Sequence, residues 1–192
     1  MTDPIRHIQL PMTEAAARQL ELGQVVTISG LVSTGRSRSQ VRAIEEGLAP
    51  PLDFDQINCF FHAEPVMRET EAGWEVVSIE PISSMRCERY GGAVVRKLGL
   101  RTLIGKTMMG PDTAEALREV SAVHLTKIGV CGDLLCPHMT RVVDVHFLEG
   151  PGKTEGTRVF DAERLGPFFM DMDASGRAYF EDLDGRARGN LA

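Results

Sequence analysis

Cysteine is scarce in this 192-residue chain: the four present, Cys59, Cys87, Cys131 and Cys136, are too few to staple a fold of this size, and none stands in a Cys-x-x-Cys pair. Reduced thiols are therefore expected. No run of about 18 apolar residues occurs, and the opening Met1-Thr2-Asp3-Pro4-Ile5-Arg6-His7 lacks the basic and apolar regions of a secretory leader. A cytoplasmic location follows as the expectation. Basic runs are missing too: 21 Lys and Arg stand against 27 Asp and Glu, and the formal charge of −6 argues against a nucleic-acid backbone binder. There is no repeat or low-complexity tract.

Hydrophobic residues at 43% and charged residues at 25% are close to globular averages, and the length suits one domain with a real apolar core. We expect that domain to span residues 1–184, with residues 185–192 as a frayed tail. Cationic clusters are local, in Arg36-Ser37-Arg38 and from Arg86 to Arg89. A small anionic ligand needs only such a local field.

Thr13 ahead of Glu14-Ala15-Ala16-Ala17 predicts a capped first helix ending near Gly23. Val25 to Ser29 reads as a buried strand feeding a loop over Ser33 to Gln40, with a helix from Val41 to Glu46. Beyond the Pro50-Pro51 break, Ile57 to His62 and Trp74 to Ile79 read as a hairpin. Helix Cys87–Leu98, strand Arg101–Ile104, helix Ala114–Val120, strand Ala122–Thr126, a short helix over Leu134–Met139 and strand Val142–Leu148 then alternate. Arg158 to Ala162, Phe168 to Asp173 and Ala178 to Glu181 complete the pattern, the last two as a terminal hairpin around Ala174-Ser175-Gly176. A mixed α/β domain results.

The ordered blocks Trp74-Glu75-Val76-Val77-Ser78, Pro81-Ile82-Ser83-Ser84-Met85-Arg86, Gly105-Lys106 and Met109-Gly110-Pro111 resemble the beta subunit of the iron-sulfur hydro-lyases, the L-tartrate dehydratase and class I fumarase family. Upstream, Thr34-Gly35-Arg36 sits where that family carries a Thr-x-Arg-Asp loop, so the resemblance covers roughly Leu10 to Asp184. It implies the swivelling β/β/α domain of the class I fumarase C-terminal type. It also implies a partner alpha subunit that holds a 4Fe-4S iron-sulfur cluster, with no cluster on this chain. Substrate-binding roles are implied for Arg36, Arg86 and Lys106, with Ser84 beside them, and the substrate class is a small hydroxy di- or tricarboxylate.

Elementary chemistry explains why cations would be placed there. Removing water from a hydroxy acid takes a weakly acidic proton next to a carboxylate, so negative charge grows on that carboxylate, and arginines meet it through paired hydrogen bonds. The proton-handling residues depart from the family. Ser37 and Gln40 stand where it carries Asp and His, and Ile82 stands at the threonine taken as its base. Ser83 and Ser37 are the catalytic candidates left, with Ser84 and Glu88 as substitutes. The alternative is a catalytically degenerate carboxylate-binding or assembly subunit of the same fold.

Two metal readings are weaker. Cys131, Cys136 and His138 with Cys59 or His62 have irregular spacing for zinc. Asp171, Asp173, Ser175, Gly176 and Asp182 approach an EF-hand loop, but their flanks read as strands.

Overall fold

A computed structural model describes residues 5–71, 73–127, 129, 131, 134–148 and 156–189. Its core is a run of parallel strands: β1 (Arg6–Gln9), β2 (Val25–Gly35), β3 (Cys59–His62), β6 (Thr102–Gly105) and β7 (Val123–Thr126), neighbours in that order. Every residue of β3, β6 and β7 is buried, as expected of short strands covered on both faces. The long β9 (Thr157–Met172) pairs antiparallel with β2 along one edge, from Val25↔Phe169 to Thr34↔Arg158. Its other edge takes β8 (Met139–His146) first and β7 afterwards, so β2, β3, β6, β7 and β9 close into a ring.

Side-chain alternation divides the interior into two cores. Cys59, Phe61, Ile104, Val123 and Leu125 face Phe160, Leu165, Phe168 and Met170 of β9 and the N-terminal Ile8, Leu10 and Met12. Phe60 and Leu103 point the other way, onto Val94, Val95 and Leu98 of α3 (Glu88–Leu98) and Ala116 and Leu117 of α4 (Pro111–Val120). The remaining helices are α1 (Glu14–Ala17), α2 (Ser37–Ile44) and α5 (Tyr179–Gly189). Thr13 caps α1 by accepting from Ala16 N, and α3 ends on Gly99 at φ 64°. No described helix is long and apolar enough to cross a membrane.

The mixed α/β expectation holds, while several local expectations do not. Ile57–His62 is no hairpin partner of Trp74–Ile79: β3 pairs with β2 and β6, and β5 (Gly73–Ser78) pairs with β4 (Val66–Thr70) in a separate two-stranded sheet. The loop over Ser33–Gln40 is absent, because β2 continues to Gly35 and α2 begins at Ser37. The terminal hairpin is reduced to its turn and one antiparallel bridge, Met172↔Ala178. Tyr179 and Phe180 open α5 and lay their rings against Phe169, and the turn before them is closed by Asp173. That carboxylate accepts from Ser175 N, Ser175 Oγ, Arg177 N and the Arg177 guanidinium, so the chain's own donors occupy it.

Candidate functional site

The parallel strands end nearly abreast: Gly35 faces His62, Phe61 faces Ile104, and Gly105 faces Thr126. Residues just past such strand ends are where α/β sheets hold ligands. Here they include Arg36, Lys106 and Lys127. Neighbouring strands lie about 4.8 Å apart, so the backbones of Arg36 and Lys106, two strands apart, begin about 10 Å from each other. That separation suits two cations reaching for one small polyanion.

The segment Pro81–Cys87 crosses this edge and is stitched to it. Ile82 N donates to His62 O (2.7 Å), Lys106 N to Ile82 O (3.2 Å), and Ser84 N to Lys106 O (2.8 Å). Ser83 thus pairs with Lys106 as an isolated bridge, and its hydroxyl lies 3.1 Å from Thr107 Oγ1. A short 3-10 turn, Ser84–Cys87, follows and presents Arg86 to solvent. Helix α2 packs against that turn and brings half-buried Arg36 and Ser37 alongside. Gly35 lets the first turn of α2 fold back onto β3, since a Cβ there would overlap Ser39 Oγ and lie 2.7 Å from the Phe60 ring.

Of the residues expected at the site, Arg36, Ser37, Ser83, Arg86 and Lys106 lie along this one edge. Ser84 departs from its expected contact with substrate. It is fully buried, and its hydroxyl is shared between His62 Nδ1 (3.0 Å) and His124 Nε2 (2.9 Å). The chain of bonds goes on at both ends: Gln40 Nε2 lies 3.1 Å from His62 Nε2, and His124 Nδ1 lies 2.6 Å from Asp171 Oδ1. All five side chains are at most 1% exposed.

Local structure explains each placement. His62 and His124 sit on the helix-side face of β3 and β7, flanking β6, and Gly105 of β6 leaves the gap between them. A Cβ on Gly105 would overlap the Ser84 oxygen outright and lie 3.3 Å from His62 Nδ1. Asp171 is the extra residue of a register shift, between Leu125↔Met170 and His124↔Met172, and such a bulge re-aims a side chain. Burial, and then the neighbouring His124, push the His62 pKa down to about 3, so its imidazole is neutral. Sequence reasoning missed this chain of groups. The available signal was a histidine inside each of two apolar strands, Cys-Phe-Phe-His and Val-His-Leu-Thr.

Other candidates have structural work. Glu88 accepts from Gly110 N, Asp112 N, Thr113 N and Thr113 Oγ1, which caps α4. Lys127 donates to Glu80 Oε1 (2.7 Å) and Cys131 O (2.8 Å) and so tethers the strand end to the segment before Pro81. Among the described residues no three of His, Cys, Asp and Glu come together as metal ligands. Cys59 lies in the inner core, where desolvation pushes its thiol pKa up, and His138 Nδ1 is 2.9 Å from Glu163 O.

Residues 2–183 match the family model described as Fumarase C-terminus. The chain belongs to the Fumarase C-terminus family. Within it, the chain is 33% identical over 180 residues to a provisionally named class I fumarate hydratase of Geobacillus stearothermophilus, covering 92% of this chain and 34% of that protein. It therefore spans about a third of that relative's length. It is 25% identical over 176 residues to a provisionally named L(+)-tartrate dehydratase subunit beta of Methanocaldococcus jannaschii, covering 90% of each. The L(+)-tartrate dehydratase subunit beta of Escherichia coli K12 is 29% identical over 167 residues, covering 86% of this chain and 82% of that subunit. The rim and the buried chain beneath it both lie within the residues that match this family.

Proposed function

We propose that this chain is the beta subunit of an iron-sulfur-dependent hydro-lyase that reversibly hydrates or dehydrates a small hydroxy di- or tricarboxylate. The observation that carries the reading is the gathering of Arg36, Arg86 and Lys106 at one edge of the parallel strands, in a chain with these relatives. The two cores on opposite faces of the parallel strands support the swivelling β/β/α type of fold. The chain's own cysteines do not form a cluster cradle: Cys59 and Cys87 are buried in different cores, and Cys131 is exposed. The 4Fe-4S cluster in this reading belongs to a partner alpha subunit. Support for a site completed by more chain comes from the Geobacillus relative, of which this domain matches 34%.

In that assembly Arg36 and Arg86 grip the carboxylates through paired N–H donors, and Lys106 adds a point charge. Charge that grows on a carboxylate as its neighbouring C–H loses a proton then meets fixed cations. Ser83 and Ser37 are the hydroxyls at hand, and Ser83 is oriented by Thr107. Alpha plus beta should show hydratase or dehydratase turnover on some member of a hydroxy-acid panel, and Arg86→Ala should abolish it. Turnover unchanged by that substitution would sink the site assignment.

A second reading is favoured by Ile82, whose aliphatic side chain packs against the helix-side core at the position of the family's base. General acid-base groups contribute about 10² to 10⁴ in rate, so a subunit without one there is suited to carboxylate binding alone. Saturable carboxylate binding by calorimetry, with no turnover by the reconstituted complex across the panel, selects this reading.

A further inference from the structure

The buried chain from Gln40 to Asp171 has a direction that hydrogen-bond chemistry fixes. At one end His124 Nδ1 lies 2.6 Å from Asp171 Oδ1, and it carries the proton there because, in the order read from the other end, His124 Nε2 accepts. At the far end the amide nitrogen of Gln40 faces His62, and an amide N–H only donates, so His62 Nε2 accepts. Neutral His62 then carries its one proton on Nδ1 and donates to Ser84 Oγ. Ser84, receiving there, donates to His124 Nε2. Reversing the amide would strand an NH₂ where the Gln40 oxygen is now buried without a partner, and orphaned donors are tolerated less well than under-used carbonyl oxygens.

We infer that Gln40, His62, Ser84, His124 and Asp171 form a one-way, proton-ordered relay that positions the Ser83–Arg86 turn over the ends of β3, β6 and β7. Ser84 is the anchor of that turn, and its hydroxyl is held from both sides by strands that flank Gly105. The four other members act through Ser84 and are positioning residues. Neutral His62 adds no charge of its own beneath Arg36, Arg86 and Lys106. The importance of this for carboxylate chemistry rests on the proposed function, whereas the proton order does not.

The relay makes a countable prediction. Three gaps, His62–Ser84, Ser84–His124 and His124–Asp171, each hold one proton, supplied by one imidazole, one hydroxyl and one imidazole. Gln40→Glu removes the amide donor at the entrance, so the gap between residue 40 and His62 needs a proton as well. It rests on the new side chain, because a carboxyl buried beside an imidazole nitrogen that accepts is held as the acid, which donates to His62 Nε2 as the amide did. The order of the relay is therefore kept, and at pH 7 the variant takes up one more proton on folding than the wild type. The titratable groups facing one another in the variant are His62, His124, Asp171 and the new carboxyl, with Gln40 having been the neutral end.

Nitrogen NMR of histidine-labelled full-length chain tests this without substrate or partner. At pH 7 the wild type should show His62 and His124, among five histidines, protonated on Nδ1 and bare on Nε2. In Gln40→Glu both histidines should keep that tautomer, and the variant should lose stability relative to wild type as the pH rises from 5 to 8, because the unfolded carboxyl is ionised there and the buried one is not. A wild-type His62 or His124 with its proton on Nε2 at pH 7 overturns the proposal, as does a Gln40→Glu chain in which either tautomer reverses. Should the variant fail to fold, the wild-type tautomers alone decide. Failure of the chain to bind carboxylates would count against the proposed function and leave the relay standing.

Discussion

The rim and the floor of the site meet in one short segment, where Ser84 stands one residue from Ser83 and two from Arg86, yet they are built on opposite rules. On the rim, Lys106 and Arg86 reach into solvent from segments just past the strand ends, where a full charge costs little. In the floor, His62, Ser84, His124 and Asp171 are fully enclosed, and each is held by a reciprocal hydrogen bond. The step from Gly105 to Lys106 crosses from one regime to the other. Charge placed where water can reach it remains available to a ligand. Polar groups placed where water cannot reach must satisfy one another, and so they hold shape.

If that division is right, the largest damage should come from filling the floor. Gly105→Ala puts a methyl on the Ser84 oxygen, and Ser84 can move only by giving up its bonds to both imidazoles. Overpacking together with orphaned buried nitrogens should cost about 3 kcal/mol in chemical denaturation. A cost below about 1 kcal/mol would mean that the floor is loosely packed. Acid should find the same place. His62 has a folded pKa near 3 against about 6.5 unfolded, so below pH 6.5 the unfolded chain binds a proton that the native one refuses. Stability is therefore full above pH 6.5 and should fall by about 1.4 kcal/mol per pH unit as the pH drops toward 3. Denaturation midpoints between pH 6 and 5, above the carboxylate range, check this. His62→Gln should flatten the slope there.

The difference between rim and floor also explains what the sequence could disclose. Rim residues are local: Arg36 follows a glycine and a strand, Lys106 follows another, and the ordered motif blocks carry both with Arg86. Helices α3 and α4 and strands β6 and β7 were legible for the same reason, because capping and periodicity act over a few residues. The floor is assembled from β3, the 3-10 turn, β7 and a bulge in β9, with partners 22 to 47 residues apart. Nothing in local pattern states that His62 and His124 flank one glycine. β9 was hidden differently: Arg164, Gly166 and Pro167 interrupt its apolar pattern, and the strand passes through them with register shifts against β2. Tyr179 and Phe180, aromatic and read as a strand, serve a helix because both rings cover Phe169.

Rim substitutions should reverse the profile, with little effect on folding and a clear effect on ligand. Arg86→Ala should change stability by less than about 0.5 kcal/mol, since exposed sites rarely matter more. Carboxylate affinity in calorimetry should fall about 10- to 150-fold, the range for losing hydrogen bonds to a charged group. A stability loss as large as that of Gly105→Ala would erase the distinction between the two regions.

Ser83→Ala should have the smallest effect of all. Its hydroxyl is on the rim but neutral, and its visible partner is another hydroxyl, Thr107 Oγ1. A neutral hydrogen bond contributes about 0.5 to 1.5 kcal/mol, which corresponds to a loss of about 2- to 12-fold in carboxylate affinity. Turnover is the sharper readout. If Ser83 moves a proton, the reconstituted complex should lose about 10² or more in kcat while KM stays near the wild-type value. If it only orients the ligand, kcat should follow the modest loss in affinity. Ser83 would then belong with the cations around it as a gripping group, and proton transfer would have to come from the proposed alpha subunit.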